Sequence, residues 1–255
     1  VNNVRVTVEG LVGRITLARP EKKNALDRVT ADELAKALFA LSEGSVRVVA
    51  IDADGPDFCA GADLGALESM IDAPREHHIE DAKALGHVFH TIRRMEKPVV
   101  AVVRGRAFAG GAGLATACDI VLAHEEARFA YPEVTIGFVP AMVMTMLRRS
   151  VGEKIAFDLV STGRIVKADE AKAIGLVSRV VADGGFAEVT NGILNQLAQS
   201  PPSALAATKT LFYKLDTLGF LDGISAGIVA NADARATEAF REGVLRFTSR
   251  KKDQQ

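Results

Sequence analysis

A chain of 255 residues, 48% hydrophobic and 25% charged, is long enough for one large core with room for a smaller appendage. Thirty-one basic against 32 acidic residues leave a net charge of −1, so no global field draws the chain to nucleic acid or an anionic membrane. Two cysteines, Cys59 and Cys118, make neither a disulfide framework nor a four-ligand zinc site, and reduced cytosol is the expected compartment. No apolar run reaches the roughly 20 residues of a membrane span, and the N-terminal residues lack the apolar centre of a signal peptide.

In chain order, Val4, Val6 and Val8 alternate with polar neighbours, and Ile15 and Leu17 repeat the pattern after Gly10 and Gly13. This predicts a β-hairpin. A helix is predicted over 27–41, where Leu34, Ala37, Leu38 and Leu41 form one stripe and Thr30 with Glu33 matches a capping box. Apolar runs at 46–51, 99–103, 120–123 and 128–130 read as strands, with a helix over 79–95 and a short one ending at Cys118. Beyond Pro140, helices are expected at 141–149, 153–161 and 168–174, with a last strand at 177–181. From there the chain reads as helical at 187–199, 203–217 and 220–247, with Pro201 and Pro202 separating the first two. Strand–helix alternation followed by a helical tail argues an α/β core with a C-terminal helical part; the last six residues read as a fraying tail.

Three segments are candidates for chemistry. Residues 105–119 read as strand, Gly110-Gly111-Ala112-Gly113 turn and small-residue helix. A helix N-terminus carries unpaired N–H groups and partial positive charge, and glycine admits close approach; tight helix–sheet packing is the competing reading. Neither the dinucleotide fingerprint nor the phosphate-binding loop fits, since Leu114-Ala115-Thr116 follows Gly113 and no Gly-Lys-Ser/Thr occurs here. Residues 58–64, Phe-Cys-Ala-Gly-Ala-Asp-Leu, form a second small-residue turn after a strand. Two such turns could aim N–H donors at one point, the geometry that stabilises charge developing on a carbonyl oxygen. Finally, Glu133 lies between apolar or small residues behind Pro132. A carboxylate withdrawn from water can give and take a proton near neutrality, whereas a solvated or salt-bridged glutamate cannot.

These segments, in this order and spacing, resemble the crotonase (enoyl-CoA hydratase/isomerase) superfamily. The resemblance runs from Ala18-Arg19-Pro20-Glu21-Lys22-Lys23-Asn24-Ala25-Leu26 through 58–64, 105–119 and 129–137 to Thr162-Gly163-Arg164, 168–177 and Glu242-Gly243-Val244. It implies an α/β fold, with a spiral of ββα turns over 1–195 and a C-terminal helical subdomain over 196–255 that assembles trimers or dimers of trimers. It implies an acyl-CoA thioester as substrate, with CoA entering as part of that substrate and no metal or separate cofactor. By matching, the N–H groups of Ala62 and Gly110 hold the thioester oxygen while an enolate forms, with Glu133 as acid/base. Ala60, Gly61, Leu64, Phe108 and Pro132 line the substrate and CoA path, and Lys22 and Ala25 lie near its nucleotide end. Phe247 and Arg250 match tail positions that reach the CoA of a neighbouring subunit.

The sequence also departs from that pattern. Typical hydratases carry two glutamates, but the first position, six residues before Asp119, is Gly113. The glycines of a Pro-Gly-x-Gly-Gly run are replaced in Pro140-Ala141-Met142-Val143-Met144, which suggests a different acyl pocket. A single carboxylate suffices for a double-bond isomerase; hydration also needs a positioned water, for which Tyr131, Asp63 and Glu68 are candidate helpers. The pattern around 110–114 and 136–141 resembles single-glutamate members grouped with methylglutaconyl-type enoyl-CoA hydratases. The expectation is therefore a hydratase, with an isomerase as the alternative and a non-catalytic acyl-CoA-binding protein as the third reading. His77, His78, His87, His90 and His124 lack metal-ligand spacing, and Cys59 lacks an adjacent histidine to activate it. Apolar stripes at Leu205, Leu211 and Leu215, and at Ile224, Ile228 and Ala232, are candidates for a subunit interface or for packing within one chain.

Overall fold

Period-two alternation at the start of the chain produces the hairpin it predicts: β1 (Val4–Glu9) pairs antiparallel with β2 (Val12–Leu17). The computed structural model describes the backbone of residues 2–252 and the side chains of 2–249, so the expected role of the Arg250 side chain lies outside the described residues. Of the tail expected to fray, 250–252 instead continue the last helix, and 253–255 lie outside the described residues. After the hairpin come α1 (Arg28–Glu43), β3 (Val48–Ala53), α2 (Leu64–Ser69), α3 (Arg75–Arg94), β4 (Val99–Val103), β5 (Arg106–Phe108) and α4 (Gly110–Ala117). β6 (Ile120–His124) and β7 (Arg128–Ala130) lead to α5 (Ala141–Val151) and α6 (Glu153–Thr162). β8 (Val166–Lys167), α7 (Ala168–Ala173), β9 (Arg179–Val181) and α8 (Phe186–Ala198) complete the core. An arm of α9 (Pro202–Lys214), α10 (Phe220–Arg235) and α11 (Glu238–Lys252) follows.

The larger sheet has the order β1-β2-β3-β4-β6-β9, parallel from β2 onward. A smaller sheet, β5-β7-β8, stands beside it, extended by a bridge from Cys59 to Ala107. Three successive stretches, β3 to Cys59, β4 to β5 and β6 to β7, thus each step from the large sheet to the small one, which is the spiral. Both faces of the large sheet are covered, so its strands read as continuous apolar runs. Val49, Ile51, Val99 and Ala101 pack with Leu34, Leu38, Val88 and Ile92 of α1 and α3. Val48, Ala50, Val100 and Val102 pack with Phe186, Ile193 and Leu194 of α8.

Two expected details are corrected. The Thr30–Glu33 capping box does not form. Asp27 is the N-cap and accepts from the Thr30 N–H at 2.8 Å, while Glu33 turns away to accept from the Val4 N–H at 3.0 Å. The single helix predicted over 220–247 is two helices, because Thr237 breaks the run and caps α11 through its hydroxyl, which accepts from the Phe240 N–H. The arm is thinly attached. Lys209 is the one buried residue of α9, and α10 buries none. Among the described residues no helix is long and apolar enough to cross a membrane.

Candidate active site

The turn after Phe58 is held from both sides. Cys59 bridges to β5, its N–H donating to Arg106 O and its C=O accepting from the Phe108 N–H, each at 2.9 Å. On the other side the Leu26 N–H donates to Gly61 O at 2.7 Å, and the Asp63 N–H donates to Leu26 O at 2.8 Å. The Ala60 N–H reaches Lys23 O at 3.0 Å. This brings the loop of Lys22 and Ala25 against the 60–62 segment, with Ala25 buried and Lys22 exposed. Between these bonds the Ala62 N–H donates to no described residue.

The second turn leads from β5 into α4. Ala109 holds φ 48° and ψ −121°, a region that a side chain disfavours, and its N–H donates to Ala130 O at 2.9 Å. The Gly110 N–H, at the first position of α4, donates to no described residue, as expected of a first-turn amide. The two turns touch. A Cβ on Gly61, whose φ is +104°, would lie 2.8 Å from the Ala109 Cβ and 3.6 Å from the Gly110 nitrogen. A Cβ on Gly111 would collide with the Cys59 carbonyl and lie 2.6 Å from its Cβ. Glycine at these two positions is what lets the segments meet.

Glu133 starts a 3-10 turn after β7 and is 8% exposed. Its Oε2 is buried without a hydrogen-bond partner, and burial raises the carboxyl pKa above the usual carboxylate range. An orphaned buried oxygen in a native protein calls for a functional or structural reason. Pro132 is half-buried before it, and Phe108 pairs with Ala130 across the small sheet.

Gly113 faces an apolar wall. A Cβ there would lie 2.5 Å from Val143 Cγ2 of α5 and 3.1 Å from Phe89 Cζ of α3, so those two side chains fill the space a side chain at 113 would occupy. Nearby, a Gly86 Cβ would lie 3.1 Å from Met142 Sδ, and a Gly110 Cβ 3.5 Å from Leu85 Cδ2 and 3.6 Å from Leu26 Cδ1.

The candidate helper groups have other partners. The Tyr131 hydroxyl lies 2.8 Å from Thr116 Oγ1 in the core. Asp63 caps α2 through the Gly65 and Ala66 N–H groups and pairs with Arg19 at 3.1 Å. Glu68 is exposed on α2, and Leu64, at the first turn of that helix, is 69% exposed. Phe247 lies on α11, which packs on α10. Burial pushes the Cys59 thiol up to about 12, leaving it protonated and inert at neutral pH. His124 is bound to Asp183 at 3.0 Å, and the other four histidines are exposed. Among the described residues no group of three or more His, Cys, Asp or Glu could hold a metal ion.

Several supporting residues carry no sequence signal of their own. Arg19 binds Asp27, Asp63 and the Ala25 carbonyl. Asn24, buried at φ 54°, donates to the carbonyls of Asp54 and Asp57. Asp57 takes three hydrogen bonds from Arg106. Together they tie the first loop, the 57–63 segment and β5.

The two-sheet spiral thus carries two adjoining turns, each with an amide that donates to no described residue, and a buried glutamate at the end of β7. Over residues 7–255 the chain matches the model of the enoyl-CoA hydratase/isomerase family, and it belongs to that family. It is 42% identical to a Thermus thermophilus protein, itself named only provisionally as an enoyl-CoA hydratase, over 94% of this chain and 95% of that one. It is 36% identical to the short-chain-enoyl-CoA hydratase of Clostridium acetobutylicum, over 82% and 80% of the two chains. Among solved structures, an enoyl-CoA hydratase of Mycobacterium smegmatis superposes with TM-score 0.92 at 32% identity, covering 97% of this chain and 96% of that one. The human enoyl-CoA hydratase domain-containing protein 3 gives 0.92 at 28% identity, covering 97% and 98%.

Proposed function

We propose that this chain is an acyl-CoA enzyme that moves a proton next to the thioester with one carboxylate, Glu133. The carrying observation is the buried, unpartnered Oε2 of Glu133. A carboxylate left without a partner in a dry site is a competent base, because a substrate proton meets no competing hydrogen bond. The Ala62 and Gly110 amides take the thioester oxygen as it gains charge; one such donor contributes roughly 3–4 kcal/mol. Ala60, Gly61, Leu64, Phe108 and Pro132 flank the thioester and CoA path, and Lys22 and Ala25 stand at its nucleotide end.

Within that chemistry the geometry favours double-bond isomerisation. Glu133 takes a proton from the carbon next to the thioester of a 3-enoyl-CoA, the electrons shift into a dienolate held by the two amides, and the same carboxyl returns the proton two carbons further on. Nothing else is consumed. The observation behind this preference is Gly113, whose neighbours Val143 and Phe89 leave an apolar surface where a second acid or base would stand. Hydration is the second reading, favoured by the names of the relatives: Glu133 takes a proton from water as its oxygen adds to the third carbon, then returns it to the second. Incubation with a 3-enoyl-CoA, crotonyl-CoA and 3-methylglutaconyl-CoA separates the readings. Conversion of the first alone supports isomerisation and hydration of either 2-enoyl substrate supports the hydratase, while binding of all three with no conversion leaves a non-catalytic acyl-CoA-binding protein.

Assembly belongs to the same proposal. α9–α11 present apolar faces to a second and third copy, giving a trimer or a dimer of trimers, and Phe247 and Arg250 then serve the CoA of a neighbour. No metal or separate cofactor enters the scheme.

A further inference from the structure

The site is carried by two segments, α4 with its Gly110 amide and the β7 end with Glu133. One tie between them is backbone: Phe108 pairs with Ala130, and the Ala109 N–H donates to Ala130 O at 2.9 Å. A second tie lies at the far end of α4. Thr116 gives its hydroxyl proton to the Ala112 carbonyl at 2.7 Å, and a hydroxyl has one proton to give. The 2.8 Å contact between Thr116 Oγ1 and the Tyr131 hydroxyl therefore uses the tyrosine's proton, with Tyr131 the donor. Tyr131 is 0% exposed and Thr116 is 4% exposed, so water cannot replace either partner.

The Glu133 carboxylate makes no hydrogen bond to another side chain among the described residues, and its Oε2 has no partner. Its position is inherited from the backbone on either side. Downstream, the Phe138 N–H donates to Glu133 O at 3.0 Å, but residues 134–139 are exposed. Upstream, only Pro132, with φ constrained by its ring, separates Glu133 from Tyr131, whose ring is locked in the core. We propose that Tyr131 is a positioning residue: its hydrogen bond to Thr116 fixes the Glu133 carboxylate relative to the Gly110 amide. This inference rests on the reading of Glu133 as the proton carrier. Burial, with a smaller contribution from the nearby Glu133 charge, keeps the Tyr131 hydroxyl protonated, which suits a donor that never titrates.

The test uses the full chain with whichever acyl-CoA it converts, comparing Tyr131→Phe, Thr116→Val, Thr116→Ser and the Tyr131→Phe/Thr116→Val double variant. Since small misplacements of a reacting group are expensive in rate, Tyr131→Phe and Thr116→Val should each lower kcat by about tenfold with KM within about twofold. Thr116→Ser keeps the acceptor and should stay within about twofold of the parent. The double variant should be no slower than either single, because both remove one interaction. Melting temperatures measured alongside separate this from unfolding. Unchanged kcat in Tyr131→Phe, multiplicative losses in the double variant, or a Thr116→Ser enzyme as slow as Thr116→Val overturns the proposal. Glu133→Gln run in parallel separates the two layers: full turnover there overturns the reading of Glu133 itself, whereas an inactive Glu133→Gln beside a fully active Tyr131→Phe overturns the positioning role alone.

Discussion

Glu133 joins the stability and the pH response of the molecule at one atom. A carboxyl whose folded pKa is raised by burial favours the folded state while protonated, and that contribution is lost as pH rises from the ordinary carboxylate pKa through the folded one. The proposed action as a base runs the other way, gaining as the carboxyl ionises. Glu133→Gln should therefore lower kcat by roughly two to four orders of magnitude with acyl-CoA affinity nearly unchanged and a melting temperature equal to or above the parent's near pH 7. In the parent, kcat/KM should fall on acidification with a midpoint above the usual carboxylate range; a midpoint within that range would show that burial does not control the base. Ala109 offers a second single-residue check. Its φ of 48° with ψ of −121° is strained for alanine, and Ala109→Gly should raise unfolding stability by about 1 kcal/mol, the relieved strain exceeding the added chain entropy. Denaturant midpoints measure this directly.

At the scale of elements, the sequence was legible where a pattern repeats and illegible where a single contact decides. The hairpin, the parallel strands and the helices of the core stand close to where the sequence pattern puts them, since Val48–Ala53 and Val99–Val103 announce themselves as short apolar runs buried on both faces. β5 and β8, of three and two residues, are too short to carry a period, and α2 buries no residue that would have marked it. The glycine-rich turns could be read because their backbone demands are local, whereas Glu133 stood out through the family resemblance and its burial is set by tertiary packing. The bond between Thr116 and Tyr131, and the knot of Arg19, Asn24 and Asp57, could not, because their partners are set by tertiary packing. Attachment of the arm is another such case. Lys209 donates to Ile92 O, Lys97 O and Asp119 Oδ2 at 2.8, 3.0 and 2.7 Å. Tyr213, under Arg93 at 4.5 Å, donates to Asp119 Oδ1 at 2.6 Å. Breaking one partner of a buried pair is worth about 3–5 kcal/mol. Lys209→Met should thus lower the melting temperature and speed proteolysis in the 199–201 linker, where the arm leaves the core. Unchanged cleavage would mean that α9 is held by something other than this cluster.

For the whole molecule, the arm poses the question of what covers it. Phe212, Phe220, Leu221 and Ile228 are between 64% and 81% exposed, and a groove of about 1090 Å³ between α9, α10 and α11 is lined by Ala207, Leu211, Ala226 and Val229. An apolar surface of this kind on one chain is unfavourable in water, and the proposed closed symmetric assembly would cover it with the same surface of further copies. Light scattering after size exclusion should give the mass of three or six chains at micromolar concentration, and Ile228→Asp should shift it downward. The assembly and the site can then be tested together. If a neighbour's Phe247 contacts only the CoA part of the substrate, the dissociated variant should show a raised KM for acyl-CoA with kcat retained, since the two amides and Glu133 come from one chain. A short acyl thioester lacking the nucleotide offers the neighbour nothing to hold, so its kcat/KM should be the same for the assembled and dissociated forms. Equal losses on both substrates would place the neighbour's contribution in the shape of the Glu133 pocket rather than in CoA recognition.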